Sequence, residues 1–482
     1  MALHLYDTLR RDTVPFEPRD QGKASLYLCG PTVQAGPHVG HGRGAVVFDV
    51  LRRYLIWSGY EVTLVRNVTD IDDKIIMRAQ REGTAQAQIA TRYAREFNQA
   101  MDALHVLPPD VEPLATGHII EMQELIAELI EQDKAYERDG NVLFRVRKFP
   151  GYGKLSGRRI DDLVGGEDVV GSDLKDDPLD FAMWKAAKPD EPSWPSPWGD
   201  GRPGWHIECS AMASKHLGHG FDIHGGGLDL VFPHHENEIT QYEAAYGEPF
   251  ARHWVHNGMV RMGEEKMSKS LGNIVALQDA IDEWGPGTLR MWYLSAHHRS
   301  PLTFEDDRIL DARASYTRLV TFLQTAAVAL PDDVEPDESA ADDKVDAFRA
   351  AMDDDLNAPA AIAVLHEIAS AGHEQLKAVE GGDAAAAATV AALAATLRTL
   401  ADDVLGLGLE VVLERTQHLS DRLAPVIADL LEQRAAARAD KDFARADAIR
   451  DQLAASGVVV EDRPAGSRWY LEAFPTGSSE RP

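Results

Sequence analysis

Residues 27–43 constrain the fold more tightly than any other stretch of this 482-residue chain. They read Tyr-Leu-Cys-Gly-Pro-Thr-Val-Gln-Ala-Gly-Pro-His-Val-Gly-His-Gly-Arg. Residues 25–30 form an apolar run that predicts a short strand, and apolar positions from Val47 to Leu55 recur at helical spacing. A strand followed by a glycine-rich turn and a helix is typical of the first unit of a nucleotide-binding α/β fold, with a phosphate site at the helix start.

Two histidines, His38 and His41, stand three residues apart in the first turn of that helix and share one side of it. The surrounding glycines do not match the dinucleotide pattern G-x-G-x-x-G. Imidazoles at this position can donate hydrogen bonds to phosphate oxygens. The alternative is a pair of capping or packing histidines, and this motif alone leaves both interpretations open.

A second motif lies at residues 264–273, Glu-Glu-Lys-Met-Ser-Lys-Ser-Leu-Gly-Asn. Its two lysines, Lys266 and Lys269, sit in a polar loop that could bring two ammonium groups onto a triphosphate. A lysine-rich loop is more often only a solvated loop. The histidine pair and the lysine pair together, in this order, favour a nucleotide site.

Four potential metal ligands are expected to meet near the same edge of the sheet. Pro233 predicts the start of a helix. His234 and Glu238 would then lie four residues apart on one face of that helix, a suitable spacing for two metal ligands. The only two cysteines are Cys29, at the end of the first strand, and Cys209. Because the carboxyl ends of parallel strands converge on the ligand crevice, all four side chains could ligate one metal ion there. A disulfide is the less favoured use of the cysteines.

The overall charge of −29 excludes a general nucleic-acid coat protein, since non-specific affinity comes mainly from Lys and Arg on phosphates. No secretory signal is evident at the N-terminus, and we expect no apolar stretch long enough to span a bilayer. These features predict a cytoplasmic protein.

Beyond an acidic linker at residues 331–338, the chain is rich in Ala and Leu at helical spacing up to residue 405, which predicts a helical bundle. Near the C-terminus four basic residues follow one another at intervals of four, three and four, which predicts a stripe on one helix face. They are Arg434, Arg438, Lys441 and Arg445. The stripe is either a solvated face or an RNA contact on an otherwise acidic body.

These motifs resemble the class I aminoacyl-tRNA synthetases, with residues 38–41 as the HIGH-type motif and residues 266–270 as the KMSKS motif. Four further segments narrow the resemblance to the cysteinyl-tRNA synthetase family: residues 28–33, 67–74, 204–210 and 222–238. The resemblance covers nearly the whole chain. Two positions depart from the family pattern, since Val39 replaces isoleucine and Gly44 stands where threonine is common.

The resemblance implies a Rossmann-type parallel-sheet catalytic domain with an inserted connective-peptide domain, then a helical bundle and a small mixed α/β C-terminal domain. The expected ranges are 1–120 and 196–255 for the two catalytic halves, 121–195 for the insertion, 256–310 for a stem-contact region with the lysine motif, 311–405 for the bundle, and 406–482 for an anticodon-binding domain.

The implied reaction activates L-cysteine with ATP and Mg²⁺ to cysteinyl adenylate, then transfers cysteine to the terminal adenosine of tRNA(Cys). The implied partners are this tRNA and the two small substrates, without a membrane, in a monomeric enzyme. His38, His41, Lys266 and Lys269 would be catalytic. The remaining implied contacts are Gly40, Lys269, His224, Gly225, Gly226 and Gly227 with the nucleotide; Cys29, Thr69, Trp205 and His224 with cysteine; and Cys29, Cys209, His234 and Glu238 with one zinc ion.

Two other functions remain open at this point. A related ligase that joins cysteine to an amino sugar would share the metal ligands and both ATP motifs, but it would not need the chain beyond residue 310. A non-catalytic RNA-binding paralogue is disfavoured by the intact histidine and lysine pairs. The zinc could also be a closed structural site, although a carboxylate ligand beside a nucleotide loop favours substrate binding.

Overall fold

The computed structural model describes residues 2–163, 172–263, 265–266, 274–331, 333–463 and 466–471. The chain forms two compact units. The first comprises Met1–Glu305 with Ala350–Ala358, and the second comprises Asp306–Arg349 with Pro359–Pro482.

Strands and helices alternate in the first unit, and helices dominate the second. The strands are β1 His4–Asp7, β2 Asp12–Pro15, β3 Lys23–Leu28, β4 Glu61–Arg66, β5 Ala135–Arg138, β6 Asn141–Phe144, β7 Phe181–Ala186, β8 Gly201–Pro203, β9 Phe221–Gly227, β10 Ala251–Asn257, β11 Val260–Met262, β12 Glu265–Lys266, β13 Leu302–Phe304, β14 Val458–Arg463 and β15 Gly466–Leu471. The helices are α1 Val39–Trp57, α2 Asp73–Glu82, α3 Gln86–Ala103, α4 Ile119–Glu131, α5 Trp205–Leu217, α6 Glu236–Tyr246, α7 Leu277–Trp284, α8 Pro286–Leu294, α9 Asp306–Ala329, α10 Asp342–Asp353, α11 Ala358–Glu380, α12 Ala384–Arg398, α13 Leu409–Ala439 and α14 Phe443–Ala455.

The core of the first unit is a parallel sheet in the order β10-β9-β3-β4. This arrangement confirms the predicted α/β fold. Strand β3 begins earlier than expected and ends at Leu28, which leaves Cys29 and Gly30 just beyond its carboxyl end. Gly30 is required there, because a Cβ atom at this position would lie 1.5 Å from the carbonyl oxygen of Asn67. The two strand ends can therefore approach each other closely.

An antiparallel sheet in the order β5-β6-β7-β8 is inserted in the chain between β4 and β9, that is, between the two halves of the parallel sheet. Asp73 of α2 pairs with Lys185 of β7 at 2.7 Å and with Arg202 of β8. The buried carboxylate of Glu236 accepts hydrogen bonds from the backbone N–H of Gly153 at 2.9 Å and of Ser156 at 2.8 Å. These contacts join the inserted segment to α2 and α6.

The second unit holds the helical region and the C-terminal hairpin, in which β14 and β15 pair antiparallel. A cavity of about 590 Å³ lies between α9, α13 and β15, and no candidate site residue lines it. The 21-residue stretch Ala384–Val404 is long and apolar enough to cross a membrane, so the expectation that no such stretch exists is wrong. Because 56% of its most apolar window is buried inside the protein, it is equally compatible with a core helix.

The predicted basic stripe on one helix face is also wrong. Helix α13 ends at Ala439, and Lys441 adopts a left-handed conformation with φ of 60° in the turn before α14. Arg434 is 6% exposed and forms a two-pronged ion pair with Asp462 of β14, at 2.6 and 2.8 Å. Arg438, Lys441 and Arg445 are exposed. The four side chains therefore occupy two helices and a turn, and Arg434 stabilises the hairpin.

Candidate functional site

The carboxyl end of the parallel sheet brings together side chains that are far apart in sequence. Cys29 follows β3, and Thr69 lies three residues beyond the end of β4. Cys209 comes from α5, while Glu238 belongs to α6. His234 lies in the helical turn Val231–His235, whose only non-helical residue is Phe232, so that the helical backbone continues from Pro233 into α6 as predicted. His234 and Glu238 therefore face each other across one helical turn.

Four potential ligand atoms cluster at this point, one each from Cys29, Cys209, His234 and Glu238, all within 4.8 Å of one another. Cys29 Sγ lies 3.5 Å from Cys209 Sγ, so the two cysteines form no disulfide. Glu238 Oε1 lies 3.2 Å from Cys29 Sγ and 2.8 Å from His234 Nε2. The structure thus brings together the four residues that the sequence selects as metal ligands.

The cluster is strongly polarised. Burial opposes ionisation of the Cys209 thiol, but hydrogen bonds from Cys29 and His234 lower the pKa of Cys209 to about 6. Burial raises the pKa of the Cys29 thiol. Although burial opposes the charged forms, the mutual attraction of Glu238 and His234 raises the pKa of His234 to about 10 and holds that of Glu238 well below its usual range. The Cys209 thiol and the Glu238 carboxyl thus favour their anionic forms beside the His234 imidazole.

Neighbouring side chains fix the orientation of the cluster. The fully buried His224 contacts Glu238 Oε2 through its Nε2 at 2.6 Å, which leaves Oε1 as the oxygen that faces the cysteines. His234 Nδ1 lies 2.9 Å from His206 Nδ1. The indole of Trp205 stacks on the His234 ring at a centroid distance of 4.2 Å. Such supporting contacts are the usual companions of metal-binding imidazoles and carboxylates.

The donor set fits a zinc ion. Two sulfurs, one imidazole nitrogen and one carboxylate oxygen are ligands that Zn²⁺ accepts, and bonds of about 2.0–2.3 Å would need only a slight expansion of the observed separations. An overlapping set replaces Cys209 and His234 with His224 and His235. The first set fits better, because it keeps both sulfurs and because His224 Nε2 already contacts Glu238.

Glu208 contacts Thr69, a predicted cysteine contact, and is not among the residues predicted from the sequence. Thr69 Oγ1 donates a 2.7 Å hydrogen bond to Glu208 Oε2, and both side chains are buried. Burial raises the pKa of Glu208 well above its ordinary value. Glu208 lies in the segment 204–210 together with Trp205 and Cys209, so its position in the sequence could have identified it. Trp205 remains 37% exposed and flanks the metal cluster.

The two predicted catalytic histidines cap helix α1 reciprocally. The backbone N–H of Gly40 donates to His38 Nδ1 at 3.1 Å, and the N–H of His38 donates to His41 Nδ1 at 3.1 Å. The rings stack with centroids 3.8 Å apart. Because each Nδ1 accepts a hydrogen bond, the proton of the neutral imidazole sits on Nε2. Capping and donation to phosphate are therefore compatible roles for the same side chains.

The glycines predicted to contact nucleotide are constrained by the protein itself. A Cβ atom on Gly225 would lie 2.4 Å from Phe48, and one on Gly226 would lie 2.8 Å from the His235 ring. A Cβ atom on Gly227 would lie 2.4 Å from Asp229 Oδ1. Close packing thus requires small residues here whether or not nucleotide approaches. Lys269 lies outside the described residues, and only the backbone of Lys266 is described, in β12.

Comparison with known families gives matches across most of the chain. Residues 15–314 match the tRNA synthetases class I (C) catalytic domain, residues 347–410 match the DALR domain, and residues 420–469 match the cysteinyl-tRNA ligase anticodon binding domain.

Individual relatives agree with these family matches. The cysteine–tRNA ligase of Streptomyces griseus is 48% identical over 98% of this chain and 99% of its own length. That of Thermus thermophilus is 46% identical over 98% of this chain and all of its own length. Among solved structures, Mycobacterium tuberculosis methionyl-tRNA synthetase in complex with methionyl-adenylate aligns with a TM-score of 0.62 at 16% identity, covering 81% of this chain and 93% of that one. This last likeness concerns the fold alone.

Proposed function

Because the chain belongs to the cysteine–tRNA ligase family, we propose that Cys29, Cys209, His234 and Glu238 hold one zinc ion that binds the thiolate of the substrate cysteine. The enzyme is a class I ligase that uses ATP to activate cysteine and attaches it to tRNA(Cys). The observation that carries the zinc proposal is the convergence of four ligand atoms at the carboxyl end of the parallel sheet.

The need for a metal follows from the substrate. Cysteine differs from serine only by sulfur in place of oxygen, and an apolar pocket separates such close analogues by about 1–3 kcal/mol. A selectivity of about ten-thousandfold requires roughly 5.5 kcal/mol. Zinc, when bound, supplies a soft Lewis acid that binds a thiolate far better than an alcohol. The surrounding side chains keep that site oriented, since His224 holds Glu238 and His206 contacts His234.

We assign charge stabilisation during adenylate formation to the histidine and lysine pairs. The cysteine carboxylate attacks the α-phosphorus of ATP, and negative charge develops on the departing pyrophosphate. The Nε2–H groups of His38 and His41 would donate to phosphate oxygens at the start of α1, and Lys266 and Lys269 would supply ammonium groups. Magnesium would accompany ATP. Gly40 and residues 225–227 remain proposed nucleotide contacts, and Thr69 and Trp205 remain proposed cysteine contacts. For His224, whose Nε2 contacts Glu238, we propose the orientation of that carboxylate as its role.

The proposed RNA contact now rests on Arg438, Lys441 and Arg445, because Arg434 is buried against Asp462. All three lie in the segment that matches the anticodon binding domain. Replacing them together with glutamine is expected to weaken tRNA binding and flatten its salt dependence. Each phosphate contact that is lost reduces the number of counterions released when the tRNA binds. Adenylate formation should remain unchanged. Unchanged acylation kinetics and salt slope would show that the three side chains form only a solvated surface.

The matched DALR and anticodon-binding regions favour tRNA over an amino sugar as the acceptor. We further propose that the enzyme acts as a cytoplasmic monomer.

The function is tested by ATP–pyrophosphate exchange with each amino acid in turn, followed by acylation of total tRNA. Exchange should depend on cysteine, and labelled cysteine should attach to tRNA(Cys). Exchange with another amino acid, or transfer of cysteine to an amino sugar but not to tRNA, would contradict the proposal. Metal analysis of the purified protein should find about one zinc per chain.

A further inference from the structure

The lysine motif is flanked on both sides by described residues, and both flanks are held near helix α1. On the C-terminal flank, the backbone N–H of Val39 donates to Val275 O at 3.1 Å, and the N–H of Leu277 donates to Pro37 O at 2.9 Å. His38 and Ala276 form an antiparallel bridge between these two hydrogen bonds. The chain that leaves the lysine motif is therefore paired directly with the histidine motif.

The N-terminal flank is held less directly, through a turn at residues 297–300. Strand β11, which leads into the lysine motif, pairs in parallel with β13, and Val260 lies opposite Leu302. The N–H of Gly258 donates to His298 O at 2.8 Å, and that of Leu302 donates to Met259 O at 3.0 Å. A Cβ atom on Gly258 would lie 2.3 Å from Ser300 O, so this glycine allows the turn to contact the backbone before β11. The turn is thus joined to β11 by backbone hydrogen bonds on both sides.

Arg43 contacts the other side of the same turn. It is a fully buried residue of α1, five positions after His38. Its Nη2 donates to the carbonyl oxygens of His297 at 3.3 Å, His298 at 3.4 Å and Ser300. Although burial lowers the pKa of Arg43 to about 10, that value is still well above neutral pH, so the guanidinium stays charged. No hydrogen-bond partner is found for its Nε and Nη1 within the part of the chain that the structure describes.

Among the described residues no carboxylate pairs with Arg43, which is costly, because burial of an ionised group normally requires a partner of opposite charge. Other arginines of the same helix follow that rule. Arg52 pairs with Asp110 at 2.8 Å, and Arg53 pairs with Asp49 at 2.8 Å. Arg43 instead donates hydrogen bonds to three backbone carbonyl oxygens of one turn. Such an arrangement is explained by a need to hold that turn in a fixed place.

We propose that Arg43 is a positioning residue for adenylate formation, which fixes the turn at residues 297–300 and, through β13 and β11, the strand that enters the lysine motif. Helix α1 then carries the histidine pair at its start and, one turn later, the side chain that holds the turn to which β11 is joined. This inference rests on the proposed role of the lysine motif. A displacement of about 1 Å in such a catalytic group can cost about a hundredfold in rate.

The test uses Arg43→Met, which keeps side-chain length without charge, and Arg43→Lys, which keeps the charge without the planar fork. Both are expected to lower kcat of cysteine-dependent ATP–pyrophosphate exchange by about 10–100-fold, with the lysine variant less affected. The dissociation constant of cysteine should change less than about threefold, because the metal cluster is not displaced. If Arg43→Met does not fold, Arg43→Lys carries the test.

Arg52→Met is the matched control. Arg52 is a buried arginine of the same helix that donates to Pro108 O at 2.6 Å and pairs with Asp110, on a different loop. Its replacement should leave kcat of pyrophosphate exchange within about threefold, since its effect should appear in stability. An equal loss in the control and in the Arg43 variants would overturn the proposal, because both effects would then reflect general destabilisation.

A double-mutant cycle with Lys269→Ala separates positioning from a general structural effect. If Arg43 acts through the lysine motif, the Arg43→Lys/Lys269→Ala enzyme should be no slower than Lys269→Ala alone. Additive losses, or wild-type exchange in both Arg43 variants, would overturn the positioning role while leaving the proposed function intact. Near-normal exchange in Lys269→Ala itself would overturn the proposed role of the lysine motif and the inference together.

Discussion

His224 offers a direct test of how the metal cluster is supported. Both His224 and Glu238 are fully buried, and the 2.6 Å contact between them satisfies the carboxylate oxygen that does not face the cysteines. A hydrogen bond to a buried charged group contributes about 1.5–3 kcal/mol, which corresponds to about 10–150-fold in a dissociation constant. Partners of metal ligands typically change metal affinity by about 10–100-fold. His224→Leu should therefore raise the zinc dissociation constant by about 10–100-fold.

The assay is competition for zinc with a chromophoric chelator, combined with the KM for ATP in pyrophosphate exchange. The KM for ATP should change little, because His224 contacts Glu238 and the Trp254 ring, which stacks on it at 4.4 Å. His224→Gln, which retains a donor, should recover part of the zinc affinity. His253→Leu is the control, since His253 is a buried histidine of the adjacent strand that contacts Asp222 O at 3.1 Å.

A different outcome would refute this reasoning. If His224→Leu bound zinc as the wild type does while the KM for ATP rose about tenfold, the histidine would be a nucleotide contact, as the sequence alone predicts, and its hydrogen bond to Glu238 would be incidental to metal binding.

Further predictions concern the lysine motif, the C-terminal hairpin and helix α1. Lys269→Ala should slow adenylate formation by orders of magnitude with an unchanged circular dichroism spectrum, because an ammonium group stabilises charge on the leaving pyrophosphate; near-normal exchange would contradict its assignment. Hydrogen bonds from Arg434 and Ser467 hold the pKa of Asp462 well below its usual range, so the stability that they confer is present above about pH 4 and is lost as the pH falls. Asp462→Asn should therefore destabilise the hairpin at pH 7, and the difference from the wild type should shrink progressively as the pH falls below about 4, as followed by amide hydrogen exchange. Gly44→Ala should stabilise the protein by about 0.5–1 kcal/mol in urea unfolding, because the added Cβ atom would lie 3.4 Å from Asn257 Oδ1 within a helix.

The catalytic fold and the metal cluster could be predicted because they depend on local patterns and on one general property of parallel sheets. The apolar run before Cys29 and the glycine-rich turn after it specify a strand–turn–helix unit. The ends of such strands converge, which explains why Cys29 meets residues about two hundred positions later in the sequence. His234 and Glu238 could be predicted as the other two ligands because they are four residues apart, which places them on one face of a helix.

The supporting contacts could not be predicted, because each depends on the packing of separate elements. Thr69 meets Glu208 although 139 positions separate them, and no periodicity in the sequence encodes that pair. His224 was expected at the substrates, and only the packing of β9 against α6 shows that its Nε2 faces Glu238. The metal ligands could thus be predicted from sequence patterns, whereas the residues that orient them could be identified only from the three-dimensional packing.

The error at the C-terminus has a local physical cause. Regular spacing placed Arg434 and Arg445 on one helix, but Asp442 begins a new one, since its Oδ1 accepts a hydrogen bond from the N–H of Arg445 at 3.1 Å. The aspartate that caps α14 was visible in the sequence as a helix start signal, and periodicity alone gave it no weight.

The central claim is that the metal at Cys29, Cys209, His234 and Glu238 binds the substrate and does not only stabilise the fold. Cobalt in place of zinc provides a visible reporter of the ligand set. Addition of cysteine, but not of serine, should strengthen the sulfur-to-cobalt charge-transfer absorption in the near ultraviolet, because a further thiolate joins the metal. Cysteine binding should also release a proton near neutral pH, since the thiol must ionise to ligate. If calorimetry shows normal cysteine binding while the cobalt spectrum stays unchanged, the metal is structural and the account of how serine is rejected is wrong.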